Sequence, residues 1–135
     1  MNFVVDCSVT MSWIFEDESS QKSDELLNLI LDGATVIVPT IWRYEVSNVL
    51  LLATIKKRIS GYKNAISLLG KFPIKEDPFS IVATWGDTLQ VAAKTNLTIY
   101  DASYLETAKR NLLPLATFDK AMIKAAKSLK IPLLT

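Results

Sequence analysis

The sequence contains no histidine and a single cysteine, Cys7. With one thiol no internal disulfide can form. With neither imidazole nor a thiolate cluster, any bound metal must be held by oxygen. The missing imidazole also excludes proton shuttling between histidines as a reaction mechanism. Glycine and proline are sparse, and neither a linker, a repeat nor a low-complexity tract interrupts the chain. No apolar run approaches the roughly 20 residues of a membrane span; the longest, Val49–Ala53, falls inside a helical pattern. The N-terminus lacks a basic segment, and Asp6 stands where the apolar core of a signal peptide would continue. No leader and no membrane contact are therefore expected, and the cytoplasm is the default location.

What is present is a core. Half of the 135 residues are apolar and the mean hydropathy is positive, which suits one packed domain over 1–135 and excludes a disordered tail. The net charge is only +1, yet it is unevenly spread. Residues 1–45 carry eight acids and two bases, residues 46–135 six acids and thirteen bases. That asymmetry fits a polar partner such as nucleic acid, and equally a solvated surface with uneven charge.

Short apolar runs alternate with helical patterns. Phe3-Val4-Val5 predicts a buried strand that stops at Asp6, before a helix-like segment from Val9 to Phe15. Ser20 to Asp32 predicts a helix stopped by Gly33, and Val36–Val38 a strand ended by Pro39. Thr40 is the expected cap of a helix from about Ile41 to Lys57, followed by another from Gly61 to Leu69. The stretch 73–78 is a connector with room for a short extended piece. Ser80 to Thr95 predicts a helix, and Leu97–Tyr100 a weak strand or loop before a helix from Asp101 to about Arg110. Leu113–Thr117 predicts a strand, Asp119 to Leu129 a helix, and Ile131–Leu134 a last strand confined by Pro132 to a sheet edge. Strand–helix alternation of this kind predicts an α/β fold: a central parallel sheet of four to five short strands with helices on both faces.

Four carboxylates stand out. Asp6, Asp101 and Asp119 each open a predicted helix, where Asp is a preferred cap. Asp6 and Asp119 also follow strand-like runs, so they share one rim of a parallel sheet, the rim where ligands bind in open α/β sheets. Glu45 lies inside a helix on a face shared with Ile41, Trp42, Asn48, Val49 and Leu52. A carboxylate on so apolar a stripe must be paired, protonated or on a metal, unless the helix turns it outward. Asp101 heads a stripe continued by Tyr104, Leu105, Ala108 and Leu112. Acids gathered without a cation repel one another. A hard dication such as Mg²⁺ relieves this, and can activate water for phosphodiester cleavage. The run Glu16-Asp17-Glu18 is expected to be solvated, and Cys7 to be a small buried thiol turned away from the acids, without a nucleophilic role.

Taken together, Val4-Val5-Asp6-Cys7-Ser8 followed by Trp13, Pro39 to Glu45 with its apolar helix, Tyr100-Asp101-Ala102-Ser103-Tyr104, and Leu115-Ala116-Thr117-Phe118-Asp119 resemble the PIN-domain nucleases. Within them the sequence is most similar to the VapC toxins of toxin–antitoxin pairs, over nearly the whole chain. The resemblance implies an Mg²⁺- or Mn²⁺-dependent endoribonuclease that cuts RNA with metal-activated water. It assigns Asp6, Glu45, Asp101 and Asp119 as acidic ligands, and Ser8 and Thr117 as hydroxyls that orient a carboxylate or a water. It also implies a small VapB-like antitoxin as partner and a homodimer. Lys120, Lys124 and Lys127 share one helical face, near Lys109 and Arg110, and suit phosphate contacts or plain solvation. Trp13, Trp42, Trp85 and Tyr104 suit base stacking, core packing or, for the first two, an antitoxin groove.

Other classes compete. A phospho-receiver domain needs an acidic pair after its first strand and a later acceptor Asp, but only Asp6 and then Pro39 stand there. A haloacid-dehalogenase-type phosphatase needs a second acid where Ser8 stands. A non-catalytic PIN scaffold that binds RNA or protein is the remaining alternative.

Overall fold

Four short strands, β1 (Phe3–Val5), β2 (Val36–Val38), β3 (Ile74–Glu76) and β4 (Leu115–Ala116), pair in parallel in the order β3-β2-β1-β4. The computed structural model describes residues 1–135. Phe3 lies opposite Val36, Val4 opposite Leu115, and Val36 opposite Ile74. All three β1 residues are fully buried, as expected for a central strand covered on both faces. Leu133 adds a single parallel bridge to Leu115 outside β4. Pro132 accepts from Leu115 N–H but has no N–H to return, so the predicted last strand is reduced to this contact.

The helices are α1 (Cys7–Ile14), α2 (Gln21–Leu31), α3 (Ile41–Ile55), α4 (Tyr62–Leu69), α5 (Ser80–Ala83), α6 (Leu89–Thr95), α7 (Ile99–Arg110) and α8 (Lys120–Ser128). None is long and apolar enough to cross a membrane. α1 packs on α2 and α3, and α3 on α4; α7 packs on α5, α6 and α8. The chain runs β1→β2→β3 in one direction and then crosses back to β4. Right-handed crossovers therefore place the two helix groups on opposite faces. Phe3, Leu26, Leu50, Tyr104, Leu105, Leu115 and Met122 fill the interior between sheet and helices.

Several local expectations change. The predicted helix 80–95 is broken by a π turn, Thr84–Thr88, because Gly86 leaves helical geometry (φ −125°, ψ −107°). Thr40 does not cap α3. Its backbone is already helical, and its hydroxyl meets Ser80 at 3.1 Å. α7 begins at Ile99, two residues before Asp101, because the Thr98 hydroxyl accepts the Asp101 N–H and caps the helix there. Leu112 lies past the end of α7 with φ 55° and is solvent-exposed, so it does not extend the Asp101 stripe. Glu16–Glu18 forms a 3₁₀ turn whose Asp17 and Glu18 both pair with Arg58, so the run is tethered and not merely solvated.

One ion-pair network holds the connector after β3. Arg110 bridges buried Asp77 and Glu106, and Asn111 Nδ2 donates to Asp77 at 2.6 Å. Burial alone would raise the Asp77 carboxyl. Asn111, the Phe79 N–H and Arg110 outweigh it and hold the group below the usual range.

Candidate active site

The strand order reverses between β1 and β4, since the chain moves outward from one side of β1 and returns on the other. In open α/β sheets the crevice at such a reversal, outside the carboxyl ends of the strands, is where ligands bind. Asp6 follows β1 and Thr117 and Asp119 follow β4, so all three sit at this crevice.

Asp6 is its fixed centre, only 6 % exposed. Its Oδ1 accepts from Ser8 Oγ at 2.6 Å and from Val9 N–H at 3.1 Å, which also caps α1. Its Oδ2 accepts from Thr117 Oγ1 across the strand gap. Both hydroxyls are used twice. Ser8 Oγ accepts the Phe118 N–H and Thr117 Oγ1 accepts the Asp119 N–H, each at 3.1 Å. Ser8 and Thr117 therefore lock the segment after β4 onto the carboxylate after β1. Thr10 Oγ1 donates to the Asp6 carbonyl at 3.1 Å and accepts from Trp42 Nε1 at 2.9 Å, which joins α3 to the same centre.

Glu45 comes from α3 and is half-buried; its Oε1 accepts from Tyr104 Oη on α7 at 2.5 Å. No base pairs with it, and the tyrosine hydroxyl is its one partner within the chain. Leu52, on its predicted stripe, is exposed, so that stripe marks the edge of the core. Asp101 stands at the third position of α7, half-buried. Asp119 is exposed at the rim, where its Oδ1 caps α8 by accepting Met122 N–H at 2.9 Å.

The acids feel one another. Burial raises the Asp6 carboxyl, the donors Ser8, Thr117 and Val9 pull it back, and Asp119 pushes it up again. Burial raises Glu45, Tyr104 opposes this, and Asp101 and Asp6 add to it. Burial raises Asp101 too, reinforced by Asp119 and Asp6 and opposed by Thr98. No base offsets these charges: the ion pairs of the chain involve other acids. Asp6, Glu45, Asp101 and Asp119 thus lie within electrostatic reach of one another, but no three of them close into a ligand cage. Donor capacity remains: Glu45 Oε2 and Asp119 Oδ2 accept nothing within the chain, and Asp6 Oδ2 accepts only Thr117. An all-oxygen, anionic, partly dry set of this kind suits a hard dication that keeps some of its water.

Cys7 is the first residue of α1, so strand alternation does not set its direction, and the charges of Glu45 and Asp6 reach it. Burial, then those carboxylates, push its thiol up to about 12, which leaves it protonated and unreactive.

Fold and site together define a doubly wound α/β protein whose crevice at the strand-order reversal carries carboxylates instead of a glycine-rich phosphate loop. The sequence model of the PIN domain matches residues 3–128, and the chain belongs to that family. Among solved structures it is similar to PAE2754 from Pyrobaculum aerophilum, with a TM-score of 0.62 and 22 % identity over 93 % of this chain and 79 % of that one. It is also similar to VapBC2 from Rickettsia felis, solved bound to a DNA fragment from their promoter, with a TM-score of 0.70 and 14 % identity over 98 % and 97 %. No curated protein matches significantly.

Other predicted contacts sort differently. Lys120, Lys124 and Lys127 are exposed along α8 beside Asp119, but Arg110 is committed to Asp77 and Glu106. Trp42 and Tyr104 are buried, and Trp13 packs edge-on against Phe72 while its Nε1 donates to Ser23 O; only Trp85, 91 % exposed, is free to stack. Sequence reasoning missed Tyr104 as the group that holds Glu45. The signal was there: Tyr104 lies one turn after Asp101, on the same face.

Proposed function

We propose that the protein is a metal-dependent endoribonuclease of the VapC-like toxin type, with the whole chain acting as one PIN domain. The observation that carries this reading is the placement of Asp6 and Asp119 at the reversal of strand order between β1 and β4, with Asp6 fixed by Ser8 and Thr117, and with no base paired to Asp6, Glu45, Asp101 or Asp119. Such an arrangement costs stability in the metal-free chain, and a dication would reclaim it.

In this reading Asp6, Glu45 and Asp101 hold Mg²⁺ or Mn²⁺, with Asp119 contributing directly or through water. When bound, the ion lowers the pKa of water and neutralises charge on the scissile phosphate. The chain supplies orientation. Ser8 and Thr117 fix the Asp6 carboxylate, and Tyr104 fixes Glu45 while leaving Oε2 available. Lys120, Lys124 and Lys127 offer phosphate contacts along α8. A VapB-like antitoxin and a homodimeric state belong to the same reading, as does a cytoplasmic location. The Rickettsia felis neighbour is named as a VapBC complex, which supports the antitoxin. A cavity of about 420 Å³ between α3, α4 and β3, where Val46, Ile66 and Phe72 meet the charged Arg43 and Glu76, offers a seat of mixed polarity for such a partner.

The test is cleavage of single-stranded and structured RNA in Mg²⁺ or Mn²⁺. Cleavage should vanish with EDTA and in Asp101→Asn, which keeps the fold. Cleavage by Asp101→Asn at the parent rate would refute the assignment. The spread of the carboxylates favours one alternative, a non-catalytic PIN scaffold that binds RNA or protein. A scaffold would show neither cleavage nor a Mn²⁺-dependent rise in melting temperature.

A further inference from the structure

Between α3, α5 and α7, the first and last of which carry Glu45 and Asp101, is a cavity of about 200 Å³ with mostly apolar walls, a size for a small planar group and not for a drug-sized molecule. Its exposed aromatic walls are Tyr44, 72 % exposed, and Tyr100, 55 % exposed, with Ile81 and Ile99 between the polar rims. Each tyrosine directly precedes an acid of the crevice, Glu45 on α3 and Asp101 on α7. Neighbouring helix residues point about 100° apart, so on each helix the acid stands about a quarter-turn round from the phenol ring that lines the cavity.

The hydroxyls that line the cavity have a fixed polarity. Ser103 Oγ donates to Tyr100 O at 2.6 Å, and Thr84 Oγ1 to Ser80 O at 3.2 Å. Ser80 Oγ donates to Asp77 O and accepts Thr40 N–H, so the remaining proton between Ser80 and Thr40 comes from Thr40 Oγ1. Thr40, Thr84 and Ser103 have therefore spent their protons on the chain and have only lone pairs left to offer. The cavity presents aromatic faces and hydrogen-bond acceptors, next to the place where a phosphodiester would be cut.

Resting on the ribonuclease reading, we propose that this cavity receives one unpaired nucleobase beside the scissile phosphate. It selects bases that present an exocyclic amino group, guanine, adenine and cytosine, ahead of uracil, whose one ring N–H is flanked by two carbonyl acceptors that the lone pairs of the cavity repel. The base stacks on Tyr44 or Tyr100 and donates to the acceptor hydroxyls. The π turn at Thr84 sets the wall that carries one of these acceptors, a common use of such turns.

The test measures binding of the full chain to labelled single-stranded oligouridylate carrying one central guanosine, adenosine, uridine or abasic residue. EDTA keeps cleavage out of the measurement. The guanosine oligomer should bind about ten-fold tighter than the abasic one, the scale of one base–aromatic stack. That gap should collapse in Tyr44→Ala and Tyr100→Ala and persist in Tyr44→Phe, which keeps the ring. Equal binding of the guanosine and abasic oligomers by the parent overturns the proposal. So does a gap that survives both alanine variants while they turn a dimer into a monomer in sedimentation, because the wall then belongs to a second copy. A base-dependent gap in a protein that cuts no RNA in Mg²⁺ or Mn²⁺ sinks the ribonuclease reading and keeps the cavity. Cleavage without a gap does the reverse.

Discussion

Thr117→Val removes one oxygen and leaves the shape of the residue almost unchanged. Thr117 is fully buried; its hydroxyl donates to Asp6 Oδ2 and accepts the Asp119 N–H. A hydrogen bond to a buried carboxylate contributes about 1.5–3 kcal/mol, and the backbone bond about 1 kcal/mol. Valine fills the same volume, so no cavity adds to the cost. Asp119 is exposed, and water can reach its N–H, so the expected loss at pH 7 is about 2–3 kcal/mol. The pH dependence identifies the cause. Asp6 is raised by burial even with its donors in place, and losing Thr117 raises it further. A folded carboxyl raised above its unfolded value near 3.9 gives its best stability below that value, and the stability falls as pH rises through the folded value. The penalty of Thr117→Val is therefore largest near neutral pH and shrinks toward pH 4 as Asp6 takes up its proton in both proteins. Urea unfolding followed by tryptophan fluorescence at both pH values measures it. A loss below about 0.5 kcal/mol at pH 7, or one that does not change with pH, would refute the claim that Thr117 supports a charged Asp6.

The same sign applies to the metal-free parent. With Asp6, Glu45 and Asp101 all raised, its melting temperature should fall as pH rises from the ordinary carboxylate range toward 8; a rise would contradict the strained crevice. Saturating Mn²⁺, about 100 times its Kd, should add about 2.7 kcal/mol, and the gain should be lost in Asp101→Asn; calorimetry with and without the ion decides. Arg110→Ala leaves Asp77 and Glu106 buried without their cation and should cost about 3–5 kcal/mol, whereas Arg43→Ala breaks an exposed pair with Glu76 and should cost under about 1 kcal/mol. Similar losses in the two arginine variants by chemical unfolding would mean that burial does not set the difference.

The sequence by itself determined what is local or compositional. The absence of histidine and the lone cysteine restricted any metal to oxygen ligands, and short β-branched runs between helical patterns implied a parallel sheet. Parallel strands end on one rim, which is why Asp6 and Asp119 could be placed together from sequence alone. Cap chemistry was legible at Asp6 and Asp119, whose side chains satisfy N–H groups three residues on. Only the tertiary structure decided what depends on residues far apart in the chain. It set the strand order that puts the crevice between β1 and β4, and the contact of Tyr104 with Glu45 across 59 positions. It moved the start of α7 back to Ile99, let Thr40 meet Ser80 instead of capping α3, and committed Arg110 to Asp77. The physical reason is common to all of these. A side chain near a helix end or surface has several partners of similar energy, and the choice falls to whichever neighbour the packing of the sheet brings within hydrogen-bonding distance.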